Sequence, residues 1–490
     1  MDLEMSLTKI LHLLENENLV VEKSIEEKKI NYLSFDSRDI KENTLFFCKG
    51  VNYKEEYLSI AISRGAVAYI SEKKYISDLC DYIIVNDISR AMAVVASEFY
   101  NHAYEDIETI GITGTKGKTT VTFFLSNILD EYTKSRNALI STVSTYTKIT
   151  DSESHLTTPE ALELHRLFYE AKISNLKYLT MEVTSQAYKK DRVYSVHFKN
   201  GMFLNVSEDH ISDAEHPNFE DYLECKLKLI DNTDLMVINR DMDYFNIVMA
   251  RAKNVKVVTY GKDNKADYYI TNVVKKDVGF SFNVANDKLN YCGEFEIKMQ
   301  GRFNTENALA ATTMAKVLGV DDESIRKGLL KTEVMGRMNV FEKSGITVIV
   351  DYAHNALSFS KLYESIKLDY PGRRVISVGG APGGKAYKRR QDFGEIVGMS
   401  SDYIYLTAED PQFEEVSKIC ADIAAYIPEK TKYEVIEDRT EAVEKAIKNA
   451  LEGDVVVLLA KGEEDYQKVR GVFTYYESDL KIAKRMLGID

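Results

Sequence analysis

Residues Gly111 to Thr120 read Gly-Ile-Thr-Gly-Thr-Lys-Gly-Lys-Thr-Thr, directly after the strand-like run Ile107 to Ile110 and directly before the helical-looking Val121 to Leu129. A strand that turns through glycines into a helix aims free backbone N–H groups and the positive end of a helix dipole at one point, where a polyphosphate can sit. Lys118 adds a mobile positive charge, and Thr119 offers a hydroxyl to a magnesium ion. The spacing departs from the strict Walker A pattern: a glycine belongs five residues before Gly117, and Ile112 stands there instead. The bland alternative, a glycine-rich turn with a solvent lysine, does not account for the strand before it and the helix after it. The stretch reads as a variant phosphate-binding loop, with Gly114, Thr115, Lys116, Gly117, Lys118, Thr119 and Thr120 facing the nucleotide.

At 490 residues the chain exceeds a single core and suggests about three domains. A formal charge of −14 argues against nucleic acid or an anionic membrane as the main partner, so an anionic substrate must be held by local clusters. Five cysteines without CxxC spacing indicate neither a zinc site nor a disulfide framework, and they fit a reducing cytosol. Met1 to Glu15 lacks the pattern of a signal peptide, and no apolar stretch reaches the roughly 18 residues of a membrane helix. A soluble, cytoplasmic, monomeric protein without membrane insertion is expected.

Strands alternate with helices from Ile107 onward, through Tyr178 to Val183, Gly201 to Val206, the helix-like Phe219 to Leu229, and Leu235 to Ile238, which predicts a parallel sheet covered by helices. Lys265 to Lys298 alternates apolar and polar residues, as antiparallel hairpins extending that sheet would. A second series (Thr347 to Tyr352, Arg374 to Val378, Tyr403 to Thr407, Val455 to Leu459) predicts a doubly wound, Rossmann-like C-terminal domain. The expected organisation is α/β in three domains: a small N-terminal α/β domain (1–104), a central P-loop parallel-sheet domain (105–336) and the C-terminal domain (337–490).

Ligands of open α/β sheets bind at strand ends, so the polar residues there are candidates. Glu182 closes an apolar strand and either binds magnesium or caps the strand in solvent. His210, beside Glu208 and Asp209, is a metal ligand or a structural histidine. By composition Lys226 is simply a helix lysine. In the C-terminal half, Arg337 would stabilise charge on a transferring phosphoryl group, Asp351 could hold a ribose or close a turn, and Lys388-Arg389-Arg390 is a basic cluster or a solvated run.

Taken in order, Thr-Gly-Thr-Lys-Gly-Lys-Thr-Thr (113 to 120), Thr-Thr-Pro-Glu (157 to 160), Met-Glu-Val-Thr-Ser-Gln-Ala (181 to 187), Phe-Leu-Asn-Val-Ser-Glu-Asp-His (203 to 210), Phe-Asn-Thr-Glu-Asn (303 to 307), Gly-Arg-Met (336 to 338), Asp-Tyr-Ala-His (351 to 354) and Lys-Gly-Glu-Glu-Asp-Tyr-Gln (461 to 467) resemble the Mur ligase family, at the branch that adds the third amino acid of the peptidoglycan precursor. The resemblance implies ATP in the loop and magnesium, two ions, among Thr119, Glu182 and His210, with a carbamylated Lys226 holding the second. It makes Lys118, Lys226, Arg337 and His210 the catalytic set. It also implies nucleotide contacts from Asn304, Asn307, Arg337, Asp351 and His354. Thr157, Thr158, Thr184, Arg192 and, in the first domain, Ser37 would touch UDP-N-acetylmuramoyl-L-alanyl-D-glutamate. The implied reaction is ATP-dependent formation of an acyl phosphate on the D-glutamate side chain, followed by aminolysis.

Arg390 matches an arginine that grips the incoming amino acid's α-carboxylate, and Glu464 an acidic contact nearby. Ligases that add meso-diaminopimelate usually carry Asp-Asn-Pro-Arg where this chain has Glu409-Asp410-Pro411-Gln412. Gln412 has no charge for a second carboxylate, and the loss of that partner costs several kcal/mol. Glu409 and Asp410 favour a side-chain ammonium, so L-lysine is the expected substrate. L-ornithine differs by one methylene, worth only about 1 to 3 kcal/mol. Lys116, Thr184, Gln186 and Lys190 depart from the usual family residues. The rivals are a folate polyglutamylating enzyme, which the Ser37 region and Thr157-Thr158-Pro159 oppose, and a nucleotide-binding switch that makes no bond.

Overall fold

The computed structural model describes residues 3–50, 53–75, 80–209, 211, 215–334 and 338–489. Three principal sheets organise them in a three-domain α/β architecture. The N-terminal sheet runs in the order Val20–Ser24, Asp81–Val85, Ala66–Ser71, Thr44–Phe47, Tyr32–Ser34, parallel except that Val20–Ser24 opposes Asp81–Val85. Leu11 and Leu14 of helix Leu7–Asn16, and Met92 and Val95 of helix Ile88–Phe99, share one apolar cluster with Leu45, Phe47 and Ile83 of the sheet.

The central sheet has eleven strands. Its parallel part is ordered Ala138–Ile140, Tyr178–Glu182, Glu108–Thr113, Phe198–Phe203, Thr233–Asn239, Lys256–Gly261, Tyr268–Lys275. The chain therefore winds outward from Glu108–Thr113 to one side, returns, and winds outward to the other. That reversal opens a crevice beyond the carboxyl ends of Glu108–Thr113 and its two neighbours, the usual ligand position in such sheets. The antiparallel strands Phe280–Asn286 and Tyr291–Ile297 extend one edge, as the alternation in Lys265 to Lys298 predicts. Ser144–Tyr146 and Asp151–Glu153 extend the other. These short strands give no clear signal in the sequence, because the outermost is exposed on every residue and carries no apolar face.

Helix Lys118–Thr133 starts at Gly117, whose φ of +84° lies where a side chain is strained. A Cβ at Gly117 would also lie 2.6 Å from Asn307 Oδ1, so glycine is needed twice over. The buried face of this helix, Val121, Phe124, Leu125 and Ile128, joins Ala311 and Met314 of helix Phe303–Val317 and Leu329 of helix Asp322–Lys331 in one core. The C-terminal sheet runs Asn339–Lys343, Ile346–Asp351, Val455–Leu459, Val375–Gly379, Tyr403–Leu406, Lys432–Val435, antiparallel only at its first pair. Every residue of Val455–Leu459 is buried, as expected for a parallel strand covered on both faces.

Gly328 marks a close helix crossing, since a Cβ there would fall 2.4 Å from Ile128 Cα. Gly328→Ala is expected to cost about 1–3 kcal/mol by overpacking, read as a lower denaturation midpoint. An unchanged midpoint would contradict the close approach.

Candidate active site

The strand ends deliver polar groups to one cleft of about 430 Å³. Its wall includes Thr115 to Thr120, Thr142, Thr157, Glu182 and Thr184 from the central domain, and Asp351, His354, Glu409, Asp410 and Glu464 from the C-terminal domain, with Asn304 and Asn307 between them. The backbone N–H of Lys116 donates to Asn205 Oδ1 at 2.9 Å and Asn205 Nδ2 donates back to the Lys116 carbonyl at 3.0 Å, which braces the loop from behind. Lys118 curls over the loop and donates to the carbonyls of Gly114 at 2.9 Å and Thr115 at 3.3 Å. Glu182 is fully buried and accepts from Thr119 Oγ1 at 3.1 Å, from the Thr142 N–H at 2.8 Å and from Thr142 Oγ1 at 3.0 Å. A carboxylate ringed by hydroxyls is a set of hard oxygen donors of the kind magnesium prefers. Thr142 has no motif around it, and the sequence did not single it out.

Helix Phe219–Asp231 turns Lys226 inward, so the plain surface-lysine reading does not hold. Lys226 is only 2% exposed, and its Nζ donates to the Gly114 carbonyl at 2.9 Å, behind the loop rather than on the cleft wall. Burial, reinforced by the charge of Lys118, pushes its pKa well below the ordinary lysine value. The Tyr222 ring lies 4.7 Å from the Lys226 ammonium, and its hydroxyl is 3.0 Å from Thr115 Oγ1, which ties helix to loop.

The central and C-terminal domains meet across charged groups. The Asp209 carboxylate accepts from Arg389 at 2.9 Å and Asn355 at 2.5 Å and lies 3.6 Å from Lys116 Nζ. His354 Nδ1 is 2.7 Å from the Tyr352 carbonyl, which can only accept, so that nitrogen carries the proton. Its Nε2 lone pair then receives the Lys116 ammonium at 2.8 Å. Burial, with Lys116 and Arg389 adding to it, holds the imidazole well below its usual pKa. Asp351 accepts the backbone N–H groups of Met338 and Ala353, both at 2.8 Å.

At the far end, the fully buried Arg439 pairs with Asp479 and holds the Ala408 and Leu459 carbonyls, which fixes the chain entering Glu409. Asp410 and Glu464 flank Lys461 Nζ at 3.0 and 2.6 Å. Burial and the neighbouring Asp410 push the Glu409 carboxyl up to about 7, against the pull of Arg389 and Lys461.

Other expected site residues lie off this cleft. Arg390 is turned into the C-terminal domain, 3% exposed, on Glu414 and Asp422; the arginine on the wall is its neighbour Arg389. Arg192 donates to Glu160 at 2.8 Å and to the Thr158 carbonyl at 3.1 Å, and Lys49 of the N-terminal domain reaches the other Glu160 oxygen at 2.6 Å. Thr158 donates to the Glu182 carbonyl at 3.0 Å. The Ser37 carbonyl accepts from Arg64 at 3.0 Å, and Gln412 pairs by backbone with Lys468 and Arg470. His210 and Arg337 lie outside the described residues. Asp209, Arg389 and Lys461 were not picked from the sequence, although each sits within a quoted motif or cluster.

Because Asp209 is buried among two cations, Asp209→Ala is expected to weaken the domain interface by about 3 kcal/mol. Small-angle scattering should register a larger radius of gyration, and an unchanged profile would contradict that role.

The comparisons with known proteins follow this geometry. Residues 112–315 match the Mur ligase middle domain, and residues 336–462 match the Mur ligase, glutamate ligase domain. The UDP-N-acetylmuramoyl-L-alanyl-D-glutamate--L-lysine ligase of Enterococcus faecalis is 38% identical over 96% of this chain and 94% of its own. The enzyme of that name from Streptococcus agalactiae is 40% identical over 93% and 92%. A solved UDP-N-acetylmuramoyl-L-alanyl-D-glutamate--2,6-diaminopimelate ligase shares the fold with a TM-score of 0.65 at 23% identity, over 99% of both chains. The MurF ligase from Thermotoga maritima, solved in complex with ADP, has a TM-score of 0.65 at 19% identity over 88% of this chain and 93% of its own. On the family models and the full-length relatives together, this chain belongs to the Mur ligase family.

Proposed function

We propose that the protein is an ATP-dependent amide ligase that joins L-lysine to the D-glutamate side-chain carboxylate of UDP-N-acetylmuramoyl-L-alanyl-D-glutamate. The observation that carries the reading is one cleft lined both by the glycine-rich loop Thr115 to Thr120 and by the acids Glu409, Asp410 and Glu464. The relatives named as lysine ligases support the same substrates.

The γ-phosphate of ATP would lie over the loop, within reach of Lys118, which donates to the Gly114 and Thr115 carbonyls. The substrate carboxylate attacks that phosphorus, and ADP leaves, giving an acyl phosphate. Lys118, Lys116 and, from the C-terminal domain, Arg389 surround the charge that builds up. Thr119 and Glu182 have the donor chemistry to hold magnesium, which when bound neutralises phosphate charge. The amine of L-lysine then attacks the acyl carbon, phosphate leaves, and the amide remains. Domain contact through Asp209, Arg389 and Asn355 keeps water from the acyl phosphate. Burial lowers the Lys226 pKa well below the usual lysine value and so favours the free lone pair that carbamylation requires: its nitrogen would bond to the carbon of CO₂, lose a proton and become an anion.

Glu409 lines the cleft and is the carboxylate we assign to the lysine side-chain ammonium. Protonation below about pH 7 removes that negative charge, so kcat/KM for L-lysine falls as pH drops through about 7. Glu409→Gln is expected to raise KM for L-lysine roughly tenfold or more and to abolish this acid limb. The reaction itself is tested with substrate labelled by ¹⁸O in the D-glutamate side chain. One label should pass to phosphate for each tripeptide formed, and Lys118→Ala should slow turnover about a hundredfold or more. Phosphate without label, or full activity in Lys118→Ala, would refute the mechanism.

A further inference from the structure

We infer that His216 is a positioning residue: it pins the short helix Ser185–Lys189, and with it the cleft wall at Thr184 and Thr157, to the helix that carries Lys226. The inference rests on the proposed use of UDP-N-acetylmuramoyl-L-alanyl-D-glutamate, the UDP-dipeptide, which that wall is expected to touch. His216 is fully buried, and both of its ring nitrogens are engaged. Nδ1 lies 2.6 Å from Asp221 Oδ2 in helix Phe219–Asp231, and Nε2 lies 2.9 Å from Ser185 Oγ. The other Asp221 oxygen takes the Lys189 ammonium at 2.7 Å, so helix Ser185–Lys189 is fastened at its first residue and at its last. Asp221, paired with that cation, can only accept. Nδ1 therefore carries a proton, and in the neutral ring Nε2 receives the Ser185 hydroxyl.

A helix of five residues has too few backbone bonds to hold its own direction, so the groups that grip it from outside set its placement. That placement reaches the cleft through both of its ends. Thr184 is its N-cap and lines the cleft; its hydroxyl accepts the Ala187 N–H, and its own N–H donates to Thr158 Oγ1, both at 3.2 Å. Past the other end, the Arg192 N–H donates to the Ala187 carbonyl at 2.8 Å, and the Arg192 side chain holds the Thr158 carbonyl at 3.1 Å. The helix thus grips the segment that carries Thr157, which lines the cleft beside Thr184. A tilt of the helix would move Thr184 and Thr157 against the phosphate-binding loop, which follows another strand and is braced by Asn205. Neither Ser185 nor His216 is on the cleft wall, so both act through Thr184 and its neighbours.

The test is isothermal titration of the full-length protein with the UDP-dipeptide and, separately, with ADP and magnesium, for the unaltered chain, Ser185→Ala, His216→Asn, His216→Gln and the double variant Ser185→Ala/His216→Asn. Ser185→Ala and His216→Asn, whose amide reaches only the Nδ1 position, should each weaken binding of the UDP-dipeptide about three- to tenfold. Ser185→Ala should leave the affinity for ADP unchanged, which a general loss of stability would not. The double variant should bind no more weakly than His216→Asn, because both changes remove the same bond. His216→Gln, whose amide reaches the Nε2 position, should restore most of the affinity. Ser185→Ala and His216→Gln decide the matter if His216→Asn does not fold. Unchanged UDP-dipeptide affinity in Ser185→Ala, or an equal loss for ADP, would overturn the inference and leave the proposed function standing. Absence of UDP-dipeptide binding by the unaltered protein would refute the proposed function and the inference with it.

Discussion

The buried carboxylate of Asp209 is the interaction on which the rest of the site depends. It stands at the end of the central sheet and is shared by Arg389 and Asn355 of the C-terminal domain, with Lys116 of the phosphate-binding loop close by. A lone buried anion would be costly, and so would two cations packed against it without it. The groups therefore stabilise one another only when the domains are together. This couples the loop, which must hold a nucleotide, to the wall that carries Glu409 and Glu464. His354 adds to the same contact, because its neutral ring accepts the Lys116 ammonium that would otherwise face Arg389 with less compensation.

The parts of the fold that could be read from the sequence are those whose physics is local. The loop at Gly111 to Thr120 needs glycines, a lysine and a hydroxyl in fixed order, and the structure has Gly117 in the left-handed region at the start of its helix. The apolar runs Tyr178–Glu182 and Val455–Leu459 are buried throughout and were visible as strands for that reason. Asp151–Glu153 was not visible, since an exposed edge strand is held by backbone pairing that leaves no apolar pattern.

Site residues divide along the same line. Glu182 and Glu409 could be proposed because each sits at the end of a strand pattern or in a motif, and both line the cleft. Arg390 and Arg389 are adjacent in a basic cluster, and nothing local says which one faces the cleft; the pairing of Arg390 with Glu414 and Asp422 decides it. Lys226 is the sharpest case. As a helix lysine it is ordinary in composition, and what sets it apart is tertiary burial behind Gly114, which holds its pKa well below the usual lysine value. Asp410 and Lys461 are 51 residues apart and become a pair only through the sheet that brings their strands together.

The central claim is that a single cleft joins phosphoryl transfer at the loop to recognition of a side-chain ammonium at Glu409. The most direct measurement is ADP release by the purified protein with ATP, magnesium and UDP-N-acetylmuramoyl-L-alanyl-D-glutamate, comparing L-lysine, L-ornithine, meso-diaminopimelate and no amine. The account predicts release that requires L-lysine and yields the matching tripeptide by mass. Preference for meso-diaminopimelate, whose second carboxylate would meet Glu409 rather than a cation, would contradict it.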